Sequence, residues 1–441
     1  MSKVSELVDV IVGQFRTLVE GELRSVRQGI PAGGLGRLEE RLVALRRSVD
    51  AMLLDGLAEA VGNGYQGPSV PCRCGGSMRY VSDRSKTFLT VLGDLTLKRA
   101  YYRCSRCGAS RVPLDEALGL VGEGQSIGVR VMTALVCSLL PHGQAMGLLG
   151  ELAIPHPSVS EAQRITRAVG GQATAWRDEE AAQWVEERQA PVEHVERRGP
   201  RRLALSMDGT TAHTDGAWHE AKVGAFFAFD EEGKPLSRRA YLATFGGIEA
   251  FRALWDTEAQ RWHLAAVDVL IALCDGAPWT WNTIAEYCPA HVVEILDFYH
   301  ASEHLWKLAR AVWGEGSERA KAWVGEQKER LLEGQLAAFF AALEQWDIPG
   351  PWQEEAQAQL RYFTANRERL HYKEYRARGY PIGSGLVEAA CKTVICQREK
   401  QPGMRWRKDT AEAIAHLRTV RQSGRWDALR RRLIDASVRV A

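Results

Sequence analysis

The spacing of apolar positions changes period several times along the chain, and each change marks a boundary. Val8, Ile11, Phe15 and Leu18 recur at helical spacing, and beyond the breaker at Pro31–Gly34 the series Leu38, Leu42, Leu45, Val49, Met52 repeats in heptads. Two heptads are too few for a coiled coil. A helical hairpin packed on itself or on a second subunit is therefore predicted over residues 1–66. From Pro71 to Pro113 the texture turns to short β-rich runs, and Thr87–Val91, a Leu-Gly-Asp turn and Leu95–Arg103 predict a β-hairpin. Helical periodicity returns over about 114–190. Within it, 144–152, a turn at Ile154-Pro-His-Pro157 and 159–169 behind the N-capping Ser158 form a helix-turn-helix-like pattern. The pattern leaves two readings open, DNA contact and plain helical packing.

A basic linker, Arg197–Arg202, precedes a different texture. Leu203–Met207, Val223–Phe229 and Arg239–Thr244 read as three strands, followed by a helix at 249–262, a strand at Val267–Cys274, a helix at 280–287 and a strand at Val292–Leu296. Three strands and then alternating helix and strand predict a mixed α/β sheet. From Tyr299 to about 370 the pattern is helical, Gly379–Gly385 interrupts it, and a last helix runs from Leu386 to about Glu399.

A length of 441 residues implies two to four domains, and 45% hydrophobic with 25% charged residues excludes a wholly disordered or fibrous chain. The N-terminus has no apolar signal region, and no apolar run approaches the roughly 18 residues of a membrane span. A cytoplasmic protein without a membrane partner is expected. The net charge of +2 is the sum of two opposed parts, −9 over the first 360 residues and +11 from Arg361 to the end, where 19 Lys and Arg face 8 Asp and Glu. A basic terminal block points to a polyanion, and equally to a solvated helical face.

Five cysteines, Cys137, Cys274, Cys288, Cys391 and Cys396, lie in apolar segments and read as small buried hydrophobes. The other four form two close pairs at the ends of the predicted hairpin, Cys72-x-Cys74 and Cys104-x-x-Cys107. Such pairs suit tetrahedral thiolate zinc, and so small a unit needs the metal to fold. The one-residue spacer in the first pair departs from the usual two. Four thiolates would leave no open position, so the zinc is expected to be structural; a disulfide pair, disfavoured inside a cell, and four inert thiols are the other readings.

Asp208 and Asp275 are both expected at the carboxyl end of a strand, in Met-Asp-Gly and Cys-Asp-Gly. Ligand sites in α/β sheets collect there, although Asp-Gly is also an ordinary turn. Glu388 falls in the first turn of the last helix, beside an apolar face of Val387, Cys391, Val394 and Ile395; a dipole-favoured surface glutamate is its other reading. Three carboxylates on a sheet-and-helix frame suit Mg²⁺, and two such ions can drive an in-line phosphoryl displacement. Asp297 also follows a strand and competes with Asp275, while His300 would position Asp297, contact a phosphate or sit in the core.

Several segments taken together carry a likeness: Cys72-Arg-Cys-Gly-Gly76, Arg99-Ala-Tyr-Tyr-Arg-Cys104, Met207-Asp-Gly209, Cys274-Asp-Gly276, Asp297-Phe-Tyr-His300, Gly383-Ser-Gly385 with Glu388, and Gln397-Arg-Glu-Lys400. Over about residues 70–420 the chain resembles the bacterial insertion-sequence transposases of the ISKra group, DDE enzymes related to the Mutator-like superfamily. The resemblance implies an RNase H-like catalytic domain over 196–310 and 376–400, split by an all-helical insertion at 311–375. It makes Asp208, Asp275 and Glu388 the first, second and third acids and leaves Asp297 and His300 as supporting residues. It further implies two Mg²⁺ ions, replaceable by Mn²⁺, that serve hydrolytic nicking at the element's ends and attack of the freed 3′-hydroxyls on target DNA. The partners implied are double-stranded DNA, both terminal inverted repeats and target, bound by a homodimer or higher oligomer at the bacterial nucleoid. A zinc-ribbon-like unit (67–113) and the helix-turn-helix-like region (114–195) would read the ends. Lys392, Arg398, Lys400, Arg405, Arg407 and Lys408, interleaved with Trp406 and running into a basic C-terminal region (401–441), would contact phosphates. The alternatives are a transposon-derived regulator without catalysis and an RNase H-like nuclease without strand transfer.

Overall fold

The computed structural model describes residues 3–439 apart from 121, 190–199, 348 and 384. Half of the basic linker, residues 197–199, and the centre of Gly383–Gly385 thus lie outside the described residues. The chain is mixed α/β with two sheets, and it divides into two compact units, 1–169 with 427–441 and 170–426. The basic C-terminal region is not one piece, because residues 401–426 belong to the second unit and 427–441 to the first.

The first unit opens on helices α1 (Lys3–Gln28) and α2 (Gly34–Val61). They pair along Leu7, Ile11 and Leu18, whereas Val8 and Phe15 from the predicted stripe are about half exposed. A four-stranded antiparallel sheet follows: β1 (Ser69–Pro71), β2 (Ser77–Thr90), β3 (Gly93–Cys104) and β4 (Ser110–Arg111), in that order. The hairpin is longer than predicted and turns at Val91-Leu92, since Thr90 is already paired with Gly93. Its alternate residues Phe88, Leu95 and Leu97 are buried against Leu54 of α2. Tyr102, fully buried, donates its hydroxyl to the Gly67 carbonyl at 2.9 Å, which ties the incoming chain to the sheet.

Helices α3 (Pro113–Ala117), α4 (Ile127–Leu139), α5 (His142–Glu151) and α6 (Val159–Gln189) complete the sequence up to the described boundary. Ser158 caps α6 by accepting from the Glu161 amide at 3.3 Å. However, α6 runs for 31 residues, far past the end expected of a second helix-turn-helix element. Helices α4 and α5 meet at 119°, and among the described residues no single helix is long and apolar enough to cross a membrane.

The second unit is built on a five-stranded sheet. Its strands are β5 (Arg202–Thr214), β6 (Ala217–Phe229), β7 (Pro235–Thr244), β8 (Val269–Cys274) and β9 (Val293–Leu296), in the order β7-β6-β5-β8-β9. The first three are antiparallel, and β8 and β9 then run parallel to β5. Strands β5 and β6 are twice as long as their apolar runs because the polar stretch beyond Asp208 also pairs. Asp215 and Gly216 close that hairpin with φ of 47° and 87°, the left-handed pair that a two-residue turn demands.

Helices α7 (Gly247–Arg261) and α8 (Pro278–Tyr287) flank the sheet, and Trp255 of α7 packs on Phe226 with ring centroids 4.6 Å apart. Trp255 is fully buried, so Trp255→Ala would cost about 3–5 kcal/mol. The elements described within 298–377 are helices, chiefly α9 (Phe298–Trp313), α10 (Glu318–Leu332), α11 (Leu336–Glu344), α12 (Gln353–Ala365) and α13 (Tyr372–Ala377). The next helix starts as α14 (Gly385–Ala390), widens to π geometry over Cys391–Cys396 and ends as α15 (Gln397–Glu399). It packs with α16 (Lys408–Gln422) on the sheet, where Val387, Cys391, Val394, Ile395, Ala411 and Ala415 meet Ala212, Ala221, Val223 and Ala225. The last helix, α17 (Trp426–Arg439), falls almost wholly in the first unit.

Candidate metal centre and candidate active site

The hairpin β2–β3 carries the cysteine pairs at its open end, where Met78 pairs with Cys104. All four sulfurs lie within 4.8 Å of one another, with Cys72 to Cys107 at 3.6 Å and Cys74 to Cys104 at 3.7 Å. Four thiolates around one zinc at about 2.3 Å would stand about 3.8 Å apart, so the observed cluster could hold that ion with little adjustment. The backbone prepares both turns. Gly75 and Gly108 take φ of 79° and 75°, and their amides donate to the Cys72 and Cys104 carbonyls at 3.0 and 3.1 Å. Backbone amides of Cys107 and Arg106 pull the Cys104 thiol down to about 6. The Gly76 amide acts likewise on Cys74, yet the neighbouring thiols of Cys72 and Cys107 prevail and push it up to about 12. Four crowded thiols cannot all ionise without a cation among them, and a bound divalent ion removes that conflict.

In the second unit Asp208 does not end its strand. It lies midway along β5, paired with Val223, and the strand continues to Thr214. Only the parallel pairing with β8 stops short of it, at Leu205–Ala272. Asp208 Oδ1 accepts from the Gly209 amide at 2.6 Å, and the Cys391 thiol of the π segment lies 3.6 Å from Oδ2. Thr210, two residues along, stands 3.4 Å from Cys396. The strand's period of two thus turns Asp208 and Thr210 toward the helix that carries Glu388. Burial raises the Asp208 carboxyl above the ordinary aspartate range; the Gly209 amide and His300 oppose the shift, and the nearby Asp275 charge adds to it. The two aspartates therefore share one electrostatic environment, with His300 within reach.

Asp275 follows β8, and its Oδ1 accepts from the Ala277 amide at 2.9 Å. Gly276 between them has φ 94°, and a Cβ there would stand 2.8 Å from Tyr362, so both conformation and space require glycine. Tyr362, on α12, donates its hydroxyl to the Asp275 carbonyl at 2.7 Å and stacks on His304 of α9 at 3.6 Å. These contacts, which the sequence pattern did not single out, hold the Asp275 loop on the helical segment. Tyr362→Phe should lower stability by about 1 kcal/mol in urea unfolding, the worth of one partly buried hydrogen bond.

Asp297 is 1% exposed and caps α9, its Oδ1 accepting from the amides of Tyr299 and His300 at 2.6 and 2.9 Å. It is a helix cap, and Asp275 is the acid that acts on Asp208. Glu388 is more than half exposed and accepts from Lys392, one turn on, at 2.5 Å. Its charge reaches Cys391, which lies between it and Asp208. Among the described residues the four cysteines are the set whose metal-binding atoms crowd within 4.8 Å, so Asp208, Asp275 and Glu388 do not converge that closely here.

The basic stretch divides. Lys392, Lys400, Arg405, Arg407 and Lys408 are exposed, and Arg407 also pairs with Asp409 at 3.0 Å. Arg398 is fully buried, with its guanidinium 4.7 Å from the Trp406 ring centroid, which removes it from any phosphate surface. Comparison of the chain with protein-family models and with curated proteins finds no match.

Proposed function

We propose that this chain is a DDE-type DNA transposase that nicks the ends of its element and joins the freed 3′-hydroxyls to target DNA. One observation carries the reading: Asp208 on β5 and Asp275, just past the end of the adjacent parallel strand β8, are close enough for the Asp275 charge to raise the Asp208 carboxyl, and the Glu388 helix packs against Asp208 through Cys391. The five-stranded mixed sheet with its first strand central, flanked by helices, supports an RNase H-like assignment.

Asp208, Asp275 and Glu388 would hold two Mg²⁺ ions, with Mn²⁺ as substitute. When bound, such ions neutralise the carboxylates and supply charge stabilisation at the phosphate. Glu388, now paired with Lys392, would complete the set of acids that hold the ions, and Lys392 would then be available to the DNA backbone. His300 supplies a further positive or donor group beside Asp208, and the four cysteines hold a structural zinc. The presence of all three acids favours an enzyme over a catalytically silent regulator.

The test is incubation of the full chain with supercoiled plasmid carrying the DNA that flanks its gene, with Mg²⁺ or Mn²⁺. Nicked and joined products are expected. Nicks without joining would leave a nuclease, and binding without cleavage would leave a regulator.

DNA affinity should fall steeply with salt. Removing Lys400 or Arg405 should each flatten the log–log slope by about 0.9 in anisotropy titrations. Arg398→Ala should lower the melting temperature and leave that slope unchanged.

A further inference from the structure

Trp218 stands beside the β5–β6 turn and is 60% exposed, so core packing does not account for its indole. It borders a cavity of about 300 Å³ whose wall also includes His213, Glu399, Lys400 and Arg405. The Lys400 ammonium lies 5.7 Å from the Trp218 ring centroid, and His213 meets the indole edge-on with centroids 5.7 Å apart.

Among the described residues, two polar side chains of this wall have atoms without a hydrogen-bond partner. His213 Nδ1 is buried without a hydrogen bond, and Glu399, 1% exposed, has neither carboxyl oxygen bonded. Both residues line the cavity, so a ligand with a polar edge that enters it can satisfy groups the protein leaves unbonded. Burial outweighs the attraction of Arg398 and Arg418 and raises the Glu399 carboxyl far above its usual range. A carboxyl shifted toward its protonated form can donate as well as accept, as the edge of a nucleobase requires. The indole offers a flat stacking face, and Lys400 and Arg405, both exposed, offer charge to an anion. A flat ring, a polar edge and an anion in one ligand describe a nucleotide.

We propose that this cavity receives one unpaired nucleotide of bound DNA, its base stacked on Trp218 with its edge toward Glu399 and His213, and its phosphate held by Lys400 and Arg405. Within a duplex each base has both faces covered by its neighbours, so only an unstacked base can present a face to the indole. The proposal rests on the DNA reading above and adds a site that duplex contacts would not need.

The test compares a blunt duplex with the same duplex bearing a short single-stranded tail that contains 2-aminopurine. With the full-length protein, the tailed DNA should bind more tightly and its 2-aminopurine emission should be quenched by stacking. Trp218→Ala should cost about tenfold or more in affinity for tailed DNA, abolish the quenching and leave blunt-duplex affinity unchanged. Trp218→Phe should restore most of both. The exposed position predicts wild-type melting for each variant. Equal wild-type affinity for tailed and blunt DNA, or quenching that survives Trp218→Ala, overturns the pocket and leaves the DNA reading standing. Wild-type protein that binds neither DNA removes both.

Discussion

Asp208→Asn is expected to lower metal-dependent DNA cleavage about a thousandfold or more, the scale on which a reaction loses one preorganised charge. Asparagine keeps the size of the side chain and its acceptor for the Gly209 amide, 2.6 Å away, so strand β5 has no reason to move. What disappears is the negative charge that would share metal ions with Asp275. Plasmid nicking, read beside an unchanged melting curve and unchanged DNA affinity, isolates that loss. The informative control is Asp297→Asn, because Asp297 competes with Asp275 on sequence grounds alone. Its carboxyl caps α9 through two amides. That substitution should therefore cost up to about 1 kcal/mol of stability, asparagine being a good cap itself, with far less effect on cleavage. If both variants nick DNA as fast as wild type, the acids are not the reacting site.

Loss of metal from the cysteine cluster should have the larger effect on folding. Zinc binding by small structural sites is worth about 10–16 kcal/mol at neutral pH, well above any single contact in this hairpin. The purified protein should carry about one zinc equivalent, and Cys104→Ser should lose it. Cys104 is the natural position to break, since its thiol is drawn down to about 6 and it is 1% exposed. Hydrogen exchange should then accelerate through β2 and β3 relative to the zinc-bound protein. A chelator should reproduce the effect in the wild type. Metal-free protein with equally slow exchange would show that the sheet and Tyr102 suffice to hold the fold.

How much of this was readable in advance varied with the range of the interaction involved. The cysteine pairs were visible because their spacing is local and the hairpin between them reads as alternating strands. The mixed sheet was visible for the same reason, but the ends of its strands were not. Residues 209–214 are polar and carry no apolar signal, and they extend because β6 runs alongside them. The Asp215-Gly216 pair was the available sign of that turn. The pairing of Glu388 with Lys392 was also legible, as acid and base four apart on a helix. The π segment that brings Cys391 to Asp208 left no comparable mark.

Arg398 shows the limit most clearly. In the sequence it is one of several basic residues near Trp406, indistinguishable in chemistry from Lys400 two positions later. In the fold it is fully buried and Lys400 is exposed, because the helix end turns one residue inward and the other to solvent. By itself the sequence determined composition, local periodicity, the cysteine spacing and the candidate acids, all properties of residues within a few positions of one another. Only the tertiary structure decided which acid's charge acts on Asp208, which cation reaches solvent, and that Trp218 and Glu399, 181 positions apart, border one cavity. Those outcomes depend on strand order and helix rotation, which long-range packing sets and no local pattern encodes.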